Sequence, residues 1–209
     1  MANISRRKFL VSAAVLPLVA IVPLKAFAAI GQIHQIEGDV SINKIKINSA
    51  SIIRNGDEIV VPKNGKLVFS MGEDAFLVRG GSTLQVYSEE GSVVISALRL
   101  VGGAILGVFG KRKKTTRIFT ATATIGIRGT AVYAAVSQDK LYTCTCYGHT
   151  DLIVGLERED VIATHHNAHV VTTNSRGISQ MKAFEVLDHN DDELRMLEAL
   201  MGRKPLFDS

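Results

Sequence analysis

Residues 124–148, TIGIRGTAVYAAVSQDKLYTCTCYG, are the stretch on which the fold turns. Apolar and β-branched residues dominate from Ile125 to Val136, Ser137-Gln138-Asp139-Lys140 interrupts them, and Leu141 to Tyr147 runs back. A short polar break between two such runs predicts a hairpin. The returning run carries the two cysteines of the protein, Cys144 and Cys146. Side chains alternate across a strand, so residues two apart share a face and both sulfurs point the same way. This pair is the feature of the chain that reads as chemistry; its surroundings read as scaffold.

Upstream, the same grammar repeats. Val40/Ile42 and Ile45/Ile47 alternate with polar residues around Asn43-Lys44, which predicts a tight hairpin with one buried face. Asn55-Gly56, Pro62-Lys63-Asn64-Gly65, Gly72-Glu73-Asp74, Gly80-Gly81 and Glu89-Glu90-Gly91 separate further strand-like runs. Turns at such regular spacing predict an all-β domain of many short strands, a sandwich or a solenoid-like stack. Residues 98–110 (LRLVGGAILGVFG) are apolar but too short to cross a bilayer, and they read as a strand. Their glycines do not make a phosphate loop: Arg112 follows Gly110-Lys111 where Ser or Thr is needed, and Ile105 stands at the first glycine position. Lys111-Arg112-Lys113-Lys114 and Arg117 form a basic cluster, read as a solvated loop tip whose charges discourage edge pairing.

A chain of 209 residues accommodates one domain with appendages. Its net charge of +4 has a local origin, because Arg6, Arg7, Lys8 and Lys25 lie in a leader without acidic residues. The remainder balances 20 basic against 20 acidic residues, which removes the electrostatic basis for a nucleic-acid partner. Residues 1–28 read as an export signal, with a basic start, an apolar run over 9–24 and Ala26-Phe27-Ala28 as cleavage site. The apolar run contains Pro17 and Pro23 and falls short of the ~20 residues a membrane span needs. Ser5-Arg6-Arg7-Lys8-Phe9-Leu10 resembles the twin-arginine motif S-R-R-x-F-L. The resemblance implies delivery to the periplasm in folded form, with no transmembrane helix left after cleavage.

The pattern changes after Val154. A charged stretch, 156–160, precedes His165-His166-Asn167-Ala168-His169, and Leu194, Leu197, Leu200 and Met201 recur at helical spacing. Asn190 with Glu193 predicts a capping box, Gly202 ends the helix, and the leucine stripe reads as a short lid on the β core. Four histidines, His149, His165, His166 and His169, follow the cysteines within 25 residues, while His189 precedes the helix. Two sulfurs and nearby imidazoles offer the four N/S ligands that zinc or an iron centre takes. The predicted ligand set is Cys144 and Cys146 with His165, His166 and His169. On an extended segment His165 and His169 share a face; on a tight turn His166 and His169 converge. The two-Cys, two-His content is similar to Rieske-type iron–sulfur clusters, although the C-x-H and C-x-x-H spacings are absent. Competing readings are a disulfide, strained at this spacing, or simple packing of two small side chains.

The segment IGIRGTAVYAAV resembles the V-x-V-R-G-T-x-F-x-V signature of the FecR-type periplasmic domain. Gly38-Asp39-Val40, Asn55-Gly56-Asp57-Glu58-Ile59 and Gly80-Gly81-Ser82-Thr83-Leu84 fit the same pattern, so the resemblance covers roughly residues 31–154. It implies a FecR-like β domain over 29–155, followed by a His-rich extension over 156–209. Where that family has an aliphatic strand, this chain has Thr143-Cys144-Thr145-Cys146-Tyr147-Gly148. The expected function is that of an exported, non-enzymatic FecR-like protein binding a metal ion, zinc or iron, or an iron–sulfur cluster. The alternatives are a metal-free module contacting another envelope protein and a dithiol redox protein. For the last, a thioredoxin-like βαβ context is missing, and no carboxylate pair or Ser-His-Asp order stands out.

Overall fold

The computed structural model describes residues 30–89, 92 and 94–208; the export signal read over 1–28 and part of the turn at Glu89-Glu90-Gly91 lie outside them. The described residues form an all-β fold with one short helix near the C-terminus. The strands are β1 (Ile30–Glu37), β2 (Ser41–Ile42), β3 (Ile45–Lys46), β4 (Ile52–Arg54), β5 (Glu58–Val61), β6 (Lys66–Met71), β7 (Asp74–Val78) and β8 (Ser82–Ser88). Then come β9 (Ile95–Val108), β10 (Thr116–Phe119), β11 (Thr124–Ile127), β12 (Ala131–Ser137), β13 (Lys140–Val154), β14 (Glu157–Ala163), β15 (Asn167–Thr173) and β16 (Ser179–Phe184). Helix α1 (Asp191–Leu200) follows.

Two layers share two long strands. The front layer runs β4-β1-β6-β7-β9-β12-β13-β15-β16, through the second half of β9 and the first half of β13. The back layer runs β3-β2-β5-β8-β9-β10-β11-β13-β14, through the opposite halves. Both strands change layer at a glycine in the left-handed region, Gly103 (φ +81°) in β9 and Gly148 (φ +90°) in β13. A Cβ on Gly148 would lie 2.7 Å from the Thr130 side chain. Thr130 belongs to Arg128-Gly129-Thr130, the bend between β11 and β12, so the predicted first arm of the hairpin is in fact two strands in different layers. Arg128 anchors the bend through Asp151 at 3.1 Å. The R-G-T signature is therefore a corner: one connection leaves a layer there beside another doing the same.

Between the layers lies the main core, built from residues such as Leu67, Phe69, Phe76, Ile59, Leu84, Leu98, Ile118 and Leu152. A second apolar cluster covers the outer side of the front layer, where Leu77, Leu106, Tyr133, Tyr142, Cys144, Cys146 and Tyr147 meet Leu194 and Leu197 of α1. The helix has the predicted capping box, with Asn190 accepting from Glu193 and the Glu193 side chain returning to the Asn190 backbone. Its leucine stripe packs on the sheet as read, with Leu194 and Leu197 fully buried.

Two expectations need correction. Asn43-Lys44 forms the tight turn, both residues at positive φ, but Ile45 is 72% exposed because β3 is a two-residue edge strand with no neighbour beyond β2 among the described residues. In the basic cluster, Arg112 turns inward to pair with fully buried Asp74 and to donate to the Ile95 carbonyl and Thr116. Burial pushes the Asp74 carboxyl up to about 6, against the pull of Arg112 and the Gly110 N–H.

Gly148→Ala should destabilise the protein by about 2–4 kcal/mol, since it combines a left-handed backbone with a clash at Thr130. Urea unfolding of the two proteins checks this, and equal midpoints would refute the corner.

Candidate metal centre

The register around β13 builds the site. β12 faces it with Ala131 opposite Tyr147 and Val132 opposite Thr145, so a bulge leaves Cys146 as the extra residue. Ordinary alternation would put Tyr147 on the opposite face from Cys146; the bulge brings both to the outer side with Cys144. Both sulfurs are fully buried and both cysteines are free thiols. On the other flank, β15 pairs Ala168 with Cys144 and Asn167 with Thr145, and the His166 N–H donates to the Cys146 carbonyl at 2.7 Å.

That hydrogen bond holds His166 in the bend between β14 and β15, at φ +49°. Its Nδ1 lies 3.5 Å from Cys144 Sγ, and its Nε2 lies 3.0 Å from Asp191 Oδ1. His189 comes from the strap that leads into α1. Its ring stacks on Tyr133 with centroids 4.7 Å apart and planes 9° apart. Its Nδ1 is 2.7 Å from the Leu187 carbonyl and its Nε2 is 3.3 Å from His166 Nδ1. One ligand atom from each of Cys144, Cys146, His166 and His189 fits within a sphere of mutual distances no greater than 4.8 Å.

The hydrogen-bond partners assign the tautomers. A carbonyl only accepts, so His189 Nδ1 carries the proton and donates to Leu187. The Asp191 carboxylate likewise takes a proton donated by His166 Nε2. The remaining nitrogens, His166 Nδ1 and His189 Nε2, face each other and the Cys144 sulfur, where either a proton drawn from the thiol or a cation can bridge them. The thiols answer the same field. Cys144 is driven well below the ordinary thiol range by a hydrogen bond from Cys146 and by His189 and His166, against its burial. Burial, and then the proton it lends Cys144, push Cys146 up.

The other predicted ligands go elsewhere. His165 shares Asp191 with His166, at 2.9 and 3.1 Å, and its ring centroid is 4.5 Å from that of His166, but it lies outside the four-residue group. His169 is not brought to the cysteines. It pairs with Thr143, paired residues share a face, and Thr143 faces away from Cys144, so His169 reaches Glu159 at 3.4 Å on the opposite side. Neither pairing of His169, with His165 or with His166, occurs. His149 sits beside Asp160 and Asp151 on the back layer. His189, left out of the predicted set, takes the vacant place. Its signal was positional: it immediately precedes the N-cap of a helix read as a lid over the sheet that carries the cysteines.

No family model matches this chain, and no curated protein matches it. Two crystal structures of a Parabacteroides distasonis protein, described as a "putative anti-sigma factor", are similar to it. Each superposes with a TM-score of 0.52 at 12% identity, covering 61% of this chain and 60% of that one. The likeness is one of fold, and it spans less than two thirds of that protein's length. Among the described residues, no helix is long and apolar enough to cross a membrane.

Denatured without reductant, the protein should yield two titratable thiols, and native protein none within the same minutes, since both cysteines are free and buried. Labelling of denatured chains only after reduction would establish the disulfide instead.

Proposed function

We propose that this chain is an exported FecR-like envelope module that holds one tetrahedral metal ion, most simply zinc, between Cys144, Cys146, His166 and His189. The carrying observation is the spacing of the donor atoms. Zinc bonds of about 2.3 Å to sulfur and 2.0–2.1 Å to nitrogen set tetrahedral S···N edges of about 3.5 Å and N···N edges of about 3.3 Å. Cys144 Sγ to His166 Nδ1 is 3.5 Å and His166 Nδ1 to His189 Nε2 is 3.3 Å. Both imidazoles also donate their second N–H, one to a carboxylate and one to a carbonyl, as metal-bound histidines do. A two-iron cluster fits less well, because its cysteines and histidines bind different irons and stand further apart.

The envelope role is supported by the Ser5–Leu10 motif, by the R-G-T corner, and by the likeness in fold to the anti-sigma-like protein. On this reading the protein works by contact with another protein in envelope signalling and catalyses nothing. Export in folded form suits the site: an ion bound before export keeps a buried thiol pair from oxidising in the periplasm.

Protein isolated from its native compartment should contain about one zinc per chain by elemental analysis. Cys144→Ser should abolish it and His169→Ala should leave it intact; zinc below about a tenth per chain in the unaltered protein would end the metal reading. Replacing Arg6 and Arg7 by lysines should leave the precursor in the cytoplasm, as fractionation would show, and unchanged export would exclude the twin-arginine route.

A further inference from the structure

The donors of the centre come from two separate parts of the fold, and this division suggests what the ion does. Cys144, Cys146 and His166 belong to the sheet, on β13 and the bend before β15. His189, together with Asp191 and the Leu187 carbonyl that orient the two rings, belongs to the strap and first turn of α1. We propose that the ion is a clasp that fastens the C-terminal lid, residues 185–208, onto the outer face of the front layer. This rests on the metal-centre reading above and adds a consequence that can fail while that reading stands.

Without the ion the lid is held where the clasp closes by polar contacts and one ring stack, with little buried apolar area. The strap buries little: Val186 and Leu187 are 44% and 38% exposed. Its ties besides the ion are Tyr142, which donates to the Glu185 carbonyl at 3.2 Å and accepts from the Leu187 N–H at 2.8 Å, Arg79, which donates to the Asp188 carbonyl at 2.8 Å, the stack of His189 on Tyr133, and the contacts of Asp191 with His165 and His166. Asp188 adopts φ +63°, a strained conformation for a residue with a side chain. Helix α1 has ten residues, below the ~12–15 at which an isolated helix becomes even marginal in water, so it depends on docking. The docking contacts are Leu194 and Leu197 beneath, Glu198 on Tyr147, Arg203 on the Glu73 carbonyl, and Glu193 on Arg79. His166 Nδ1 on the sheet and His189 Nε2 on the strap face each other at 3.3 Å, where a bound cation would tie the two together. With four protein ligands the ion has no open position for a substrate, which marks the site as structural.

Loading therefore switches the lid between sealed and loosened states. The lid covers Leu77, Leu106 and Tyr133, an apolar surface that opening exposes to water.

Hydrogen exchange of the full exported chain, with free zinc at about a hundred times its dissociation constant and then with excess chelator, tests the clasp. Amides of 185–201 should exchange about 100-fold more slowly with zinc, following the mass-action ratio, while β6 and β7 stay unchanged. His189→Ala keeps three ligands and should still bind cobalt, with thiolate-to-cobalt absorption, yet its lid should exchange at one rate with or without metal. If the unaltered protein binds one ion and the lid does not respond, or if the variant's lid still responds, the clasp is wrong and the metal centre remains. If neither protein binds zinc or cobalt, both proposals fall together.

Discussion

Strand β13 is apolar on both faces along its first half, and water must be kept from both. Leu141 points into the core between the layers, along with Thr143 and Thr145, whose hydroxyls are satisfied by the Tyr133 carbonyl and by Thr150. Tyr142, Cys144, Cys146 and Tyr147 point outward, and each is buried. A strand buried on both sides needs cover on its outer face as well as a partner layer. The chain provides that cover with its own last residues, which is why a histidine far along the sequence ends above the cysteines. Burial of the thiols and proximity of His189 have one cause.

What could be read in the sequence is what depends on neighbours along the chain. The hairpin turn falls at Gln138-Asp139, the capping box forms at Asn190 and Glu193, and the leucine stripe finds the sheet, because each rests on local backbone chemistry or a single periodicity. The twin sulfurs share a face for the same reason. The ligand histidines were only half legible. His166 and His169 sit three apart, but the bend at His166 ends before β15 begins, and the register of β15 then fixes His169 opposite Thr143. That register is set by pairing across strands, on which the local pattern is silent. The bulge at Cys146 and the inward turn of Arg112 toward Asp74 also answer to distant partners. So does the break of one predicted strand into β11 and β12: two layers must be joined, and a glycine next to a glycine lets them cross.

The R-G-T segment is a structural corner. Gly148 at φ +90° packs against Thr130 and the Gly129 carbonyl, Gly129 at φ +75° lies beside Lys111, and Arg128 holds Asp151 across the bend. These residues position backbone and do not reach for a ligand. A structure at 12% identity resembles this fold over 61% of the chain. Function has to be sought in what is laid on the frame, here two buried cysteines and the helix packed over them.

The charge balance at the centre gives the last step. Fully buried thiols cannot both ionise alone, because two uncompensated negative charges out of water are prohibitive. Two protonated thiols leave the facing nitrogens of His166 and His189 without donors except the thiols themselves, which are weak ones. The hydrogen bond from Cys146 favours the thiolate at Cys144, and burial opposes it at Cys146. On the proposed reading a divalent cation would neutralise two thiolates, accept two nitrogen lone pairs and leave the His166–Asp191 and His189–Leu187 hydrogen bonds in place. On that reading the site is thus a neutral one when loaded, and the strap carrying His189 is the part that the ion would join to the sheet.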